Sequence, residues 1–147
     1  MTRRPWGRVA VALLAVALVL AAGAAPAMAR GTKLTLRDSP YGHMLWGPKR
    51  HAVYAFDRES KGRPRCYGRC AEDWPPVYAR GKPRGGRGVR KRLLGTVRRR
   101  GGRRQVTYHG RPLYFYAHEG RGQVLCHNVF LNGGLWVAVG GRGRPKP

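Results

Sequence analysis

Val53-Tyr-Ala-Phe-Asp-Arg-Glu59 and Leu113-Tyr-Phe-Tyr-Ala-His-Glu119 follow one pattern, an apolar residue and then Tyr-x-aromatic-x-x-Glu. Each comes after a turn-forming break, Gly47-Pro48-Lys49-Arg50 in the first case and His109-Gly110-Arg111-Pro112 in the second. A pattern that recurs after about sixty residues predicts a duplicated structural unit. In a strand alternate side chains share a face, so Tyr54 and Phe56 point one way, and Tyr114 and Tyr116 do the same. Burying such pairs contributes ~1.5–3 kcal/mol per large side chain. The simplest reading is core packing capped by a carboxylate, with Glu59 and Glu119 receiving a tyrosine hydroxyl, turn amides or an arginine. A second reading brings the two carboxylates together across a pseudo-twofold axis as an acid pair or cation site.

Outward from these motifs the chain reads as strands and turns. Met44–Trp46 and residues 51–56 flank the Gly-Pro break as a hairpin, and Arg104–Tyr108 and residues 113–116 flank His109-Gly110 likewise. Val, Thr, Tyr and Phe dominate these runs, as a half-buried pleated surface prefers. Residues 93–97 and 135–139 are further strand candidates beside glycine-rich breaks. After residue 30 no helical period is sustained beyond a single turn at residues 70–74. With 22 Gly and 11 Pro the expected fold is mainly β.

Arg3, Arg4 and Arg8, the apolar run 9–22 and the small-residue site Ala27-Met-Ala29 predict a signal peptide, residues 1–29, cleaved after Ala29. The apolar run is shorter than the ~20 residues a membrane span needs. No cysteine stands near the cleavage site, so the expected product is extracytoplasmic and not lipid-anchored. Residues 30–147 suffice for one small domain. Losing Arg3, Arg4 and Arg8 takes the formal charge from +24 to +21, and a surface so basic attracts polyanions through counterion release.

The charge is concentrated. Residues 79–104 hold twelve Lys or Arg and no acid. Mutual repulsion and sparse apolar surface predict a flexible, solvated connection over residues 79–92. Arg98-Arg-Arg-Gly-Gly-Arg-Arg104 fits a hairpin tip, which would gather Arg98, Arg99, Arg100, Arg103 and Arg104 into one positive spot for an acidic polymer. The alternative is a solvated basic turn. Nucleic acid would bind such a spot only non-specifically.

Cys66, Cys70 and Cys126 are an odd set for an oxidising compartment. A Cys66–Cys70 bridge closes one helical turn, whereas a bridge to Cys126 closes a longer loop and constrains the unfolded chain more. Cys126 beside His127 raises a redox- or metal-handling alternative built on Cys66, Cys70, Cys126 and nearby histidines. Yet His43, His51, His109 and His118 lack ligand spacing, so no metal site and no cofactor is expected. No nucleophile–base motif, phosphate loop or zinc-protease helix is present, which points away from an enzyme. Trp46, Trp74 and Trp136 would form a carbohydrate platform if exposed.

Tyr41-Gly-His-Met-Leu45, Val53-Tyr-Ala-Phe-Asp-Arg-Glu59 and Cys66-Tyr-Gly-Arg-Cys-Ala-Glu-Asp-Trp-Pro-Pro-Val77 together resemble a repeat of the bacterial secreted repeat of unknown function family, predicted lipoproteins with a Tyr-x-aromatic-x-x-Asp motif. Leu94-Gly-Thr-Val-Arg98, Gln105-Val-Thr-Tyr-His-Gly-Arg-Pro-Leu-Tyr114 and Gly133-Gly-Leu-Trp-Val137 resemble a second repeat. The resemblance implies a non-catalytic extracytoplasmic protein of two tandem β units: repeat one over about 33–78, a basic connection over about 79–92, and repeat two over about 93–140. The family pattern and the local geometry together select the Cys66–Cys70 disulfide, with Cys126 a free thiol. Two features depart from the family: the motif ends in Glu59 and Glu119 rather than Asp, and the lipidation cysteine is missing. The expected partner is an acidic envelope polymer or another protein.

Overall fold

The computed structural model describes residues 31–59 and 61–143, so the expected signal peptide and cleavage after Ala29 lie outside the described residues. The fold is mainly β. Among the described residues nine short strands follow one another: β1 Lys33–Arg37, β2 Met44–Trp46, β3 Tyr54–Phe56, β4 Arg84–Gly85, β5 Leu94–Arg98, β6 Arg104–Tyr108, β7 Arg111–Pro112, β8 Val129–Leu131 and β9 Gly134–Ala138. One helical turn, α1 Arg69–Asp73, comes before Trp74. The strands form three three-stranded sheets, ordered β2-β1-β4, β3-β9-β8 and β5-β6-β7.

The expected hairpins exist only in part. Trp46 meets Ala52 in a single bridge, while β2 runs its ladder along β1 and β3 runs its ladder along β9. The second return strand starts at Arg111, where Tyr108 pairs with Arg111 and Thr107 with Pro112. Beyond it Tyr114 leaves β6 and pairs with Tyr54 and Pro76. Tyr54 and Tyr114 exchange both backbone hydrogen bonds, at 2.9 and 3.0 Å. The chain after each motif then crosses to the other motif. Val77 N–H donates to Leu113 O and Phe115 N–H to Pro75 O, while β9 lies along β3 from Tyr54↔Ala138 to Phe56↔Trp136. Pro75 and Pro76 have no N–H to give, which is why residues 113–117 make separate bonds where β3 and β9 make a ladder.

Strand alternation around residues 53–56 feeds two cores. Tyr54 and Phe56 join Trp46, Trp74, Tyr114 and Trp136 in an aromatic cluster. Val53 and Ala55 join Leu34, Leu45, Val77, Val106, Leu113 and Val139 in an aliphatic one. At the centre of the first, Trp74 and Trp136 stack with centroids 3.8 Å apart and planes 3° apart. Tyr54 meets Trp74 edge-on at 5.5 Å and Tyr114 meets Trp136 edge-on at 5.2 Å, while Phe56 stacks on Trp136 and Tyr116 tilts onto Trp74. The indole N–H groups are satisfied too, Trp74 by Asn132 Oδ1 and Trp136 by Leu131 O.

The basic connection is built rather than flexible. β4 pairs in parallel with β1, Lys33 opposite Arg84 and Leu34 opposite Gly85. Val89 is buried, and Leu36 N–H donates to Arg87 O. Glycine makes the approach possible: a Cβ on Gly31 would overlap Lys82 O, and one on Gly86 would meet Thr35 and Lys33 below 3 Å. Charge predicted repulsion here, but backbone pairing and one buried valine outweigh it. Truncating the central stack should be severe: Trp136→Ala should lose about 3–5 kcal/mol in a denaturant titration, whereas a loss below 1 kcal/mol would mean the indole pair is peripheral to stability.

Candidate functional site

The two motifs are joined by their polar ends. Tyr54 O–H donates to Glu119 Oε2 at 2.7 Å, and Tyr114 O–H donates to Glu59 Oε1 at 2.5 Å. Each tyrosine thus binds the glutamate of the other motif. Arg65 and Cys66 N–H groups also donate to Glu59 Oε1, and Leu125 N–H donates to Glu119 Oε2. Cys126 N–H reaches the Tyr54 hydroxyl at 3.4 Å. Glu59 therefore holds Arg65 and Cys66, while Glu119 holds Leu125 directly and Cys126 through the Tyr54 hydroxyl, six and seven places after each acid. Both carboxyls are almost fully buried, and Glu59 Oε2 and Glu119 Oε1 accept no hydrogen bond.

Burial raises both carboxyls above the usual carboxylate range, against the hydrogen bonds that favour the ionised form and, for Glu59, the nearby Arg99 guanidinium. Burial also raises the Tyr54 and Tyr114 phenols, each helped by its glutamate. The carboxylates are held by different tyrosines and different turn amides rather than in one shared acid pair. What this arrangement supplies is a lock between the halves of the chain.

One arginine of the tip is turned inward. Arg99 is buried and cannot serve as an open polyanion ligand, which removes it from the predicted patch. Its guanidinium donates to Gln105 Oε1, the Tyr114 hydroxyl and Cys66 O, and it lies 4.2 Å from the Tyr67 ring centroid. Arg100 covers the same ring at 4.6 Å, and Arg103 covers Tyr78 at 3.3 Å. Arg98 and Arg104 face each other at the base of the tip, where Arg104 donates to Thr96 Oγ1. Arg98, Arg100, Arg103 and Arg104 remain exposed, but the hairpin also clamps the loop that carries Cys66. Gln105 had no sequence signal. It is fully buried and donates to Leu113 O while accepting from Arg99.

Cys66 and Cys70 form a disulfide with Cα atoms 5.2 Å apart. Cys126 is free and buried, and burial pushes its thiol up, away from the reactive thiolate. The histidines disperse: His43 pairs with Asp38, His118 with Asp73 at 3.7 Å, His51 packs on Phe115, and His127 Nδ1 accepts from Ala138 N–H. Among the described residues no three His, Cys, Asp or Glu side chains converge as metal ligands. Trp46, Trp74 and Trp136 are buried, which overturns the carbohydrate-platform reading.

An open cleft of about 1440 Å³ lies between the 79–91 segment and the β5–β6 hairpin. Lys33, Lys82, Arg84, Lys91 and Arg104 line it, with no acidic and no aromatic side chain among its lining residues. Four of these five were not singled out from the sequence. The acid-free run 79–104 was the available signal, but it did not say which members share a concave surface.

The family described as secreted repeat of unknown function has a model that matches residues 35–78. The matched segment runs from β1 through the first Tyr-x-aromatic-x-x-Glu motif and the disulfide to Tyr78. No curated protein and no solved structure matches the chain. Among the described residues no helix is long and apolar enough to cross a membrane.

The carboxyl environment has a measurable consequence. A carboxyl whose folded pKa is raised contributes stability that is fully present below the unfolded value of ~4.3 and is lost as pH rises through the folded value. Glu59→Gln/Glu119→Gln removes both titrations, so the variant should gain stability relative to the parent between pH 4 and neutrality. Urea unfolding across that range checks this, and a relative loss as pH rises would reverse the assigned direction.

Proposed function

We propose that this chain is a secreted, non-catalytic β protein that holds an acidic polymer of the cell envelope against its basic face. The observation that carries the reading is the set of five basic side chains gathered at the cleft beside the exposed tip arginines, Arg104 belonging to both. Its charge is not spent internally. Glu59 and Glu119 are buried, Asp38 and Asp73 pair with histidines, and Asp57 accepts from Leu135 N–H. Among the described residues no lysine or arginine forms an ion pair with a carboxylate. Solvent counterions therefore balance the basic face, and a polyanion would release them on binding.

In this reading export removes residues 1–29, and the product carries no lipid. The chain is a duplicated unit, repeat one over about 33–78 and repeat two over about 93–140, closed by exchange of the segments after each motif. Support comes from the matched hydrogen bonds of Tyr54 with Glu119 and Tyr114 with Glu59, and from the Trp74–Trp136 stack between them. Residues 79–92 are both a link between the units and part of the binding surface.

Binding to linear inorganic polyphosphate, followed by fluorescence anisotropy at several salt concentrations, tests the reading. The logarithm of affinity should fall linearly with the logarithm of salt, with a slope of about 0.7 per phosphate contact. Undetectable binding at low salt, or affinity indifferent to salt, would refute it.

A further inference from the structure

We propose that the cleft between the 79–91 segment and the β5–β6 hairpin is a binding site for a linear polymer whose charge lies on a phosphate backbone. This rests on the acidic-polymer reading and narrows it to one surface and one ligand class. The five basic side chains come from separate parts of the chain: Lys33 on β1, Lys82 and Arg84 on the connection and β4, Lys91 before β5, and Arg104 on β6. Four of them belong to the acid-free run 79–104, and folding brings these four and Lys33 to a single concavity.

Two of the five are already positioned. Arg84 Nε donates to Gly31 O at 3.3 Å, and Arg104 Nη1 donates to Thr96 Oγ1 at 2.9 Å. The wall that carries Lys82 and Arg84 is fixed to β1 by the parallel β1–β4 pairing and by the contact that only a glycine at position 31 permits. The backbone of this wall is therefore ordered before binding, in contrast to a flexible basic linker.

The shape selects the ligand. About 1440 Å³ exceeds the ~300–1,000 Å³ of small-molecule sites, so it suits a stretch of polymer rather than one anion. A phosphodiester or phosphoanhydride chain presents non-bridging oxygens to both walls, whereas a planar carboxylate presents its two oxygens in one direction. Lysines supply point charges and arginines supply paired donors, both suited to phosphate. Because the lining has no aromatic side chain, bases would find nothing to stack on, which disfavours single-stranded nucleic acid. The tyrosines nearest the tip, Tyr67 and Tyr78, are already covered by Arg99, Arg100 and Arg103.

The test compares Lys33→Gln/Lys82→Gln/Lys91→Gln with Arg98→Gln/Arg100→Gln, each checked against the parent for an unchanged thermal midpoint. The probes are linear inorganic polyphosphate, polyglutamate and oligothymidylate, titrated at several salt concentrations. The cleft triple variant should bind polyphosphate roughly 50-fold more weakly at 0.15 M salt and lose about two units of salt slope. The tip pair should lose less than a third of that slope. Equal losses per charge removed from cleft and tip would overturn the cleft, though not the acidic-polymer reading. Polyglutamate bound as tightly as polyphosphate would overturn the phosphate assignment, and oligothymidylate bound more tightly would show base recognition and overturn it as well. Failure of the parent protein to bind any of the three would instead refute the reading on which the cleft rests.

Discussion

Two buried carboxylates, each held by a tyrosine from the other half of the chain, are the constraint that organises this fold. Desolvating Glu59 and Glu119 is costly, so each must collect donors from wherever the chain can bring them. Tyr114 and Tyr54 supply the hydroxyls, and Arg65, Cys66 and Leu125 supply the amides. Satisfying those acids places the Tyr54 and Tyr114 backbones side by side, and that in turn brings Trp74 against Trp136. The aromatic core and the polar lock are thus one arrangement seen from its apolar and polar ends. Neither half can complete it alone.

Much of the β architecture was legible because strand periodicity leaves a direct mark. The alternation of Val53, Tyr54, Ala55 and Phe56 forecast two faces, and both faces are buried. What periodicity omits is the identity of the neighbour. Nothing in residues 51–56 says that their ladder partner is β9, eighty residues away, rather than the adjacent β2. The Pro75-Pro76 pair had a meaning that only pairing reveals, since it limits the bonds that residues 113–117 can form. Arg99 shows the same gap at one residue. It is one of five arginines of equal chemistry, and only the hairpin's seating against Tyr114 and Cys66 turns it inward.

The misreading of residues 79–92 is instructive for function. Charge density favoured a solvated linker, but the glycines that suggested flexibility permit close approach at positions 85, 86 and 88. That approach builds the wall of a cleft, which Lys82 and Lys91 share with Lys33. The apolar and polar interior explains why this surface stays strongly positive: the acids that could have neutralised it are committed to the lock, to histidines or to a backbone amide. Stability and ligand attraction are linked through five of the six carboxylates, Glu72 being exposed.

The most direct test of this account is a set of double-mutant cycles between the tyrosines, changed to Phe, and the glutamates, changed to Gln, read by denaturant unfolding. Reciprocal locking predicts coupling of about 1–2 kcal/mol for Tyr54 with Glu119 and for Tyr114 with Glu59. It predicts coupling near zero for Tyr54 with Glu59 and for Tyr114 with Glu119. Stronger coupling within each motif than between the two would mean that the halves close on themselves, and would contradict the exchange.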